Sequence, residues 1–181
     1  AQSRNVVSGR LFNQIVHSRN INDEINSLNN GGVVDGYPVA VFYNGEYLGL
    51  YTMNIPKDKW MFGMDDETKR QAFLFGDSWT NSVRLKEAIA DVNNVAGSGW
   101  DLEYCSTEDN AEVGTAWAAE SMNDFIAFLN SNDGEDFKNG IANYTNVDRA
   151  IDVLIFTYFI HAGDNTSKNI MWATYDGVKW I

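Results

Sequence analysis

The hydrophobic pattern of the chain begins with a helical period, changes to strict alternation, and returns to a helical period near its end. In the first stretch Val7, Leu11, Phe12, Ile15 and Val16 recur at helical spacing, and Arg10, Asn13 and Gln14 fill the other face. Ser3 stands where an N-cap would, so the pattern predicts a helix near 3–17. The Asn- and Gly-rich segment NINDEINSLNNGGVVDG reads as a connection within a domain, because hydrophobic residues resume directly after it.

The run YPVAVFYNGEYLGLYTMNI consists of two alternating β-prone arms joined by Asn44-Gly45, a pair that accepts the positive φ angles of a type I′ turn, and it predicts a β-hairpin. QAFLFGDSW predicts a further strand, and SVRLKEA another short one. From Thr115 the helical period returns, with Ala118, Met122, Phe125, Ile126 and Leu129 on one stripe of TAWAAESMNDFIAFLNS. In TNVDRAIDVLIFTYFIHA, Thr145 and Asp148 have the spacing of a capping box before an apolar run. That helix is apolar nearly all round, so it is expected in the interior, with the polar loop at its C-terminal end held rigidly. NIMWATYDGVKWI predicts a second hairpin turning at Asp176-Gly177.

Composition narrows the function classes. A chain of 181 residues that is 44% hydrophobic and contains six Trp can build a core and is not a disordered tail. The formal charge of −12, with 13 basic residues against 25 acidic ones, argues against nucleic-acid binding and favours a basic protein partner. One cysteine, Cys105, excludes an internal disulfide framework and a cysteine-built zinc site. His17 and His161 lack metal-ligand spacing and read as helix-end or partly buried residues. The most apolar run, VLIFTYFI, is far shorter than the ~20 residues of a membrane span. A start at AQSRN without Met leaves the compartment open.

Phosphate-binding glycine loops of the forms GxGxxG and GxxxxGK[ST] do not occur, and neither does a GxSxG nucleophile elbow. The sequons at Asn143 and Asn165 are short enough to arise by chance. The loop DNTSKN is more specific, because Asp164 and Asn169 are five residues apart, as are the catalytic Asp and the metal-binding Asn of the kinase pattern HRDxxxxN. The chemistry needs that separation: a carboxylate meets the acceptor hydroxyl while an amide oxygen nearby holds a divalent cation against the phosphates. Lys168 lies where it would neutralise phosphoryl charge. DNTS equally suits an Asx turn, and the spacing recurs by chance in a chain rich in Asp and Asn. The order of elements around it, an apolar helix, a polar loop and then strand-turn-strand, is that of a kinase catalytic loop.

At these residues the sequence resembles a known family. DGYPVAVFYNGEYLGLYTMNIPKDKW is similar to the NGEYxGLY hairpin signature of CotH-like proteins, and IDVLIFTYFIHAGDNTSKNIMWATYDGVKW to their D…N segment followed by a DGKKW-type strand. SRN at 3–5 fits the start of the family's first helix. The likeness is specific at 36–64 and 148–180 and loose at about 87–145.

The resemblance implies an α+β, degenerate protein-kinase-like fold that binds ATP with Mg²⁺ or Mn²⁺ and phosphorylates Ser residues of coat or surface proteins, often in basic Ser/Lys-rich repeats. On this reading 1–181 is one domain fragment, hairpin-rich over 1–86 and mainly helical over 87–181. Asp164 and Lys168 carry the chemistry, Asn169 takes the metal, and Lys57, Lys59 and Lys86 are candidate phosphate partners, though KDKW reads equally as a solvated loop and RLK as an edge strand. Trp172 and Trp180 read as core. Family members continue past the KW strand into an Asp-rich WDxD-like motif and carry a Lys-rich segment upstream. The chain is therefore expected to be truncated at both ends, inactive by itself and a weak binder of Mg²⁺ATP at most. The rival expectation is a non-enzymatic structural or binding module of a spore coat, cell surface or phage virion.

Overall fold

Asn44 and Gly45 take φ of 50° and 84° and make the two-residue turn between β1 (Gly36–Tyr43) and β2 (Glu46–Asn54). The arms pair Tyr43 with Glu46 and Phe42 with Tyr47, then shift register so that Val41 meets Gly49. Leu48 is thus the extra residue of a β-bulge, and Gly49, at φ 139°, supplies a backbone angle that few side chains tolerate. The computed structural model describes residues 4–65 and 68–181, which fall into two compact units, one ending at Gly63 and one covering Met64–Ile181.

In the first unit, α1 (Arg4–Arg19) buries Val6, Gly9, Phe12 and Val16. The buried stripe is turned from the expected one, because Val7 and Leu11 are exposed. Gly9 explains the turn: a Cβ there would collide with the carbonyl of Val34, so the missing side chain lets the connection approach this face of the helix. The expected cap, Ser3, lies outside the described residues. A short α2 (Glu24–Ser27) is capped by Asp23, whose carboxylate accepts from the Asn26 amide at 2.8 Å. Asn30 closes the unit by donating to the carbonyls of Val33 and Met61 at 3.1 and 2.9 Å.

Arg10 ties α1 to the hairpin. Its Nε donates to Asp35 Oδ1 at 3.0 Å and its Nη2 to the Gly36 carbonyl at 2.6 Å. The Arg10 hydrogen bond, helped by the Gly36 amide, holds the Asp35 carboxyl below its ordinary 3.8. A depressed folded-state value means that this contribution is present above the unfolded value and is lost as pH falls through the folded one. Asp35→Asn should therefore reduce the stability of the first unit slightly at pH 7 and leave it unchanged in strong acid, as urea melts at the two pH values would show.

The second unit is built on a three-stranded antiparallel sheet in the order β4-β3-β5. Its central strand β3 (Ala72–Gly76) is flanked by β4 (Trp100–Cys105) and β5 (Ile170–Thr174). Ala72, Phe73 and Leu74 are all fully buried, which explains why AFLF is a continuous apolar run where a half-buried strand would alternate. Helix α3 (Ala116–Ser131) buries Trp117, Ala118, Ala119, Met122, Phe125 and Ile126, close to the stripe expected from its period. These side chains join Ala72, Leu74, Trp100 and Trp180 in one core cluster. A short α4 (Gly134–Gly140) follows, and Phe137 stacks on Phe128 of α3 at 5.9 Å.

Three expectations are corrected here. Residues 82–88 run through turns and bends and form no strand: the Arg84 and Lys86 amides donate to the Thr80 and Asn81 carbonyls at 3.2 and 2.9 Å, and Leu85 takes φ 58°. The partner of β3 is β4, which was not expected.

Helix α5 (Val147–Phe159) is capped by Asn146, whose side chain accepts from the Arg149 amide at 3.2 Å, and not by Thr145. Thr145 is drawn off because its hydroxyl donates to the Trp180 carbonyl at 2.6 Å. Asn146→Ala should cost about 1 kcal/mol in a thermal melt. Nor is α5 an interior helix. Only Arg149 and Thr157 are buried, whereas Ile151, Leu154, Ile155, Tyr158 and Phe159 are exposed.

The second expected hairpin turns at Asp176-Gly177, with Asp176 Oδ1 accepting from the Val178 and Lys179 amides at 2.8 Å each. Its return arm is a single antiparallel bridge, Thr174 to Trp180, while the ladder of β5 runs to β3. Trp180 is fully buried, and Trp172 packs edge-on against Phe125 at 5.7 Å, as expected of core residues.

Candidate functional site

The end of α5 positions the loop. His161 takes φ 56° immediately after the helix, and the Ala162 amide returns to the Thr157 carbonyl at 3.0 Å. The chain then makes a 3₁₀ turn over Gly163–Thr166, inside which the Asp164 carbonyl accepts from the Ser167 and Lys168 amides at 3.0 and 2.9 Å. Thr166 Oγ1 donates to the Gly163 carbonyl at 2.7 Å. The loop is held by these local bonds and not by burial of the helix before it.

This turn brings Asp164 and Lys168 together, with Lys168 Nζ 3.4 Å from Asp164 Oδ2. The carboxylate side chain is 61% exposed and the lysine side chain 28%, so the acid faces solvent and the ammonium is the more enclosed partner. Such a pair contributes at most about 1 kcal/mol to stability. The pair sets an exposed carboxylate beside a cation. Asn169 follows at φ 52°, a left-handed angle that Asn accepts more readily than most residues, and Asn165 Nδ2 reaches its carbonyl at 3.4 Å. The next residue opens β5.

Register decides what surrounds the loop. Gly76, the last residue of β3, pairs with Ile170, the first of β5, so the segment leaving β3 lies beside the one entering β5. That neighbour is the turn-rich segment 77–87, and it contributes Trp79 and Arg84. Lys168 Nζ lies 5.6 Å from the centre of the Trp79 ring and the Arg84 guanidinium 5.0 Å from it. Neither residue was singled out by sequence reasoning. The only available signal was strand pairing, which the sequence of either segment does not carry.

The other candidates are distributed differently. Lys86 is exposed on the same 77–87 segment, two residues after Arg84. Lys57 and Lys59 belong to the first unit, where the ammonium of Lys59 lies 5.8 Å from the Trp60 ring. His17 lies in the last turn of α1, and His161 follows the cap residue of α5. A groove of about 660 Å³ in the second unit is walled by Arg70, Trp117, Glu120, Asp124, Phe128 and Tyr144 among others, and Asp164, Lys168 and Asn169 do not line it. This groove is therefore separate from the kinase-like loop.

Among the described residues no group of three or more His, Cys, Asp and Glu side chains is placed to hold a metal ion. The loop itself offers hard oxygen donors, the Asn169 amide and the Asp164 carboxylate, of the kind that Mg²⁺ and Mn²⁺ take. These suit an ion that brings most of its ligands as phosphate oxygens and water, and not one held by protein alone. No helix among the described residues is long and apolar enough to cross a membrane.

Among proteins with curated descriptions, none matches the chain. A family model described as CotH kinase protein matches residues 4–181, a span that takes in the hairpin, the sheet and the Asp164–Asn169 loop. The α+β architecture, with small antiparallel sheets and helices, is consistent with part of a kinase-like fold, and the chain belongs to the CotH kinase protein family.

Proposed function

We propose that the natural protein transfers the γ-phosphoryl group of ATP to Ser hydroxyls of a protein substrate. The observation that carries this reading is the pairing of Asp164 with Lys168 at 3.4 Å, one residue before Asn169, in a chain matched over 4–181 by the CotH kinase protein family. As the acceptor oxygen bonds to the γ-phosphorus and the bond to the bridging oxygen breaks, Asp164 takes the hydroxyl proton and ADP leaves. Since Oδ2 meets Lys168, Oδ1 is the oxygen offered to the hydroxyl. Lys168 steadies charge on the transferring group. Asn169 would contribute its amide oxygen to Mg²⁺ or Mn²⁺, which when bound with the nucleotide supplies charge neutralisation on the phosphates. A net charge of −12 suits substrates with basic, Ser-rich segments, such as coat or surface proteins.

The complete natural protein, incubated with γ-labelled ATP and Mg²⁺ or Mn²⁺, should label a basic Ser-rich peptide. Absence of label with both metals would overturn the reading. A second reading is favoured by the exposed row Ile151, Leu154, Ile155, Tyr158 and Phe159 on α5. A non-enzymatic module of a spore coat, cell surface or virion would use such an apolar face for assembly.

A further inference from the structure

The contacts of Trp79 deepen that reading at the same site. In a chain with 13 basic and 25 acidic residues, two of the cations lie against one indole ring, Arg84 at 5.0 Å and Lys168 at 5.6 Å, and Lys168 also touches Asp164. Trp79 is exposed, so the ring is not there to fill the core.

The segment that carries it is nonetheless firmly built. Thr80 Oγ1 donates to the Ser98 carbonyl at 2.6 Å, and Trp100 Nε1 donates to Ser82 Oγ at 2.9 Å. Asn130 of α3 donates to the Leu85 carbonyl at 2.9 Å, and Val83 is buried. These bonds fix the backbone around Trp79, and an indole face carried on it gathers long, flexible cationic side chains, which otherwise sample many rotamers.

We infer that Arg84 is a second anchor for the phosphate chain of the donor nucleotide, and that Trp79 is a positioning residue holding Arg84 and Lys168 beside Asp164. The ligand class follows from charge. Two cations gathered at one place on an acidic chain suit a polyanion with several charges in a row, and they repel the basic protein substrate from this side of the loop. The inference rests on the phosphotransfer reading for the identity of the ligand, but the anion site itself is measurable without catalysis.

The test is calorimetric titration of the complete natural protein with tripolyphosphate, alongside melting curves and NMR of the lysine side chains. Wild type should bind. Trp79→Ala and Arg84→Ala should each weaken binding about tenfold, with melting temperatures near wild type, whereas Trp79→Phe should stay within about threefold because it keeps an aromatic face. The Lys168 methylene signals should lose their ring-current shift in Trp79→Ala and keep it in Trp79→Phe. Equal affinity in wild type and both Ala variants, or no tripolyphosphate binding by wild type, overturns the inference even if the protein transfers phosphate. If the Ala variants lose the anion while wild type labels no peptide, the anion site stands and the kinase reading falls.

Discussion

Asp164→Asn should reduce phosphoryl transfer by the natural protein by about 10²-fold or more while leaving its melting curve unchanged. The substitution keeps the size of the side chain and removes the charge that accepts the hydroxyl proton. Stability should be insensitive because Asp164 is exposed and its pair with Lys168 is a surface pair. The backbone of the turn is held by the Asp164 carbonyl, which both side chains share. Transfer of labelled γ-phosphate to a basic Ser-rich peptide measures the loss, and an Asp164→Asn protein that labels as fast as wild type would remove Asp164 from the chemistry. Asn169 needs a different control. Its φ of 52° would strain an Ala, so Asn169→Gly separates loss of the amide oxygen from loss of the turn. That variant should raise the Mg²⁺ or Mn²⁺ concentration needed for half-maximal rate.

Trp100→Ala should be the most damaging single change in the second unit, costing about 3–5 kcal/mol in urea or thermal unfolding. Its side chain is fully buried in the core cluster that residues of the sheet and α3 share, and its indole nitrogen donates to Ser82. The loss therefore combines a large cavity with release of the segment that carries Trp79 and Arg84. Ser82→Ala isolates the second effect and should cost about 1 kcal/mol, the usual worth of one hydrogen bond. If Trp100→Ala melts within about 1 kcal/mol of wild type, the packing described for this core is wrong.

Local features were legible in the sequence wherever one residue type fixes one backbone state. Asn44-Gly45 gave away the hairpin because few other pairs accept two positive φ angles in succession. The period of α3 revealed its buried face because Ala118, Met122, Phe125 and Ile126 have a sheet to pack against. The Asp164–Asn169 spacing pointed to a loop whose local hydrogen bonds do bring Asp164 to Lys168.

The same reasoning failed where the deciding partner was remote. α5 is apolar nearly all round, yet hydrophobicity states only what would gain from burial and not what is present to bury it, and most of that helix is exposed. SVRLKEA has strand-prone residues, but Val83 and Leu85 serve turns whose anchors are Ser98, Trp100 and Asn130, far away in the chain. Thr145 fits a capping box, but the Trp180 carbonyl is the acceptor for its hydroxyl.

By itself, then, the sequence determined the two hairpin turns, the buried face of α3 and the spacing of Asp164 and Asn169, because each depends on residues a few positions apart. Tertiary structure alone decided that β3 is central, that β4 is its partner, and that Trp79 and Arg84 stand beside Lys168. Those neighbours meet because Gly76 pairs with Ile170 across the sheet, and a pairing between segments so distant in sequence is a property of the fold's register, which no local pattern encodes.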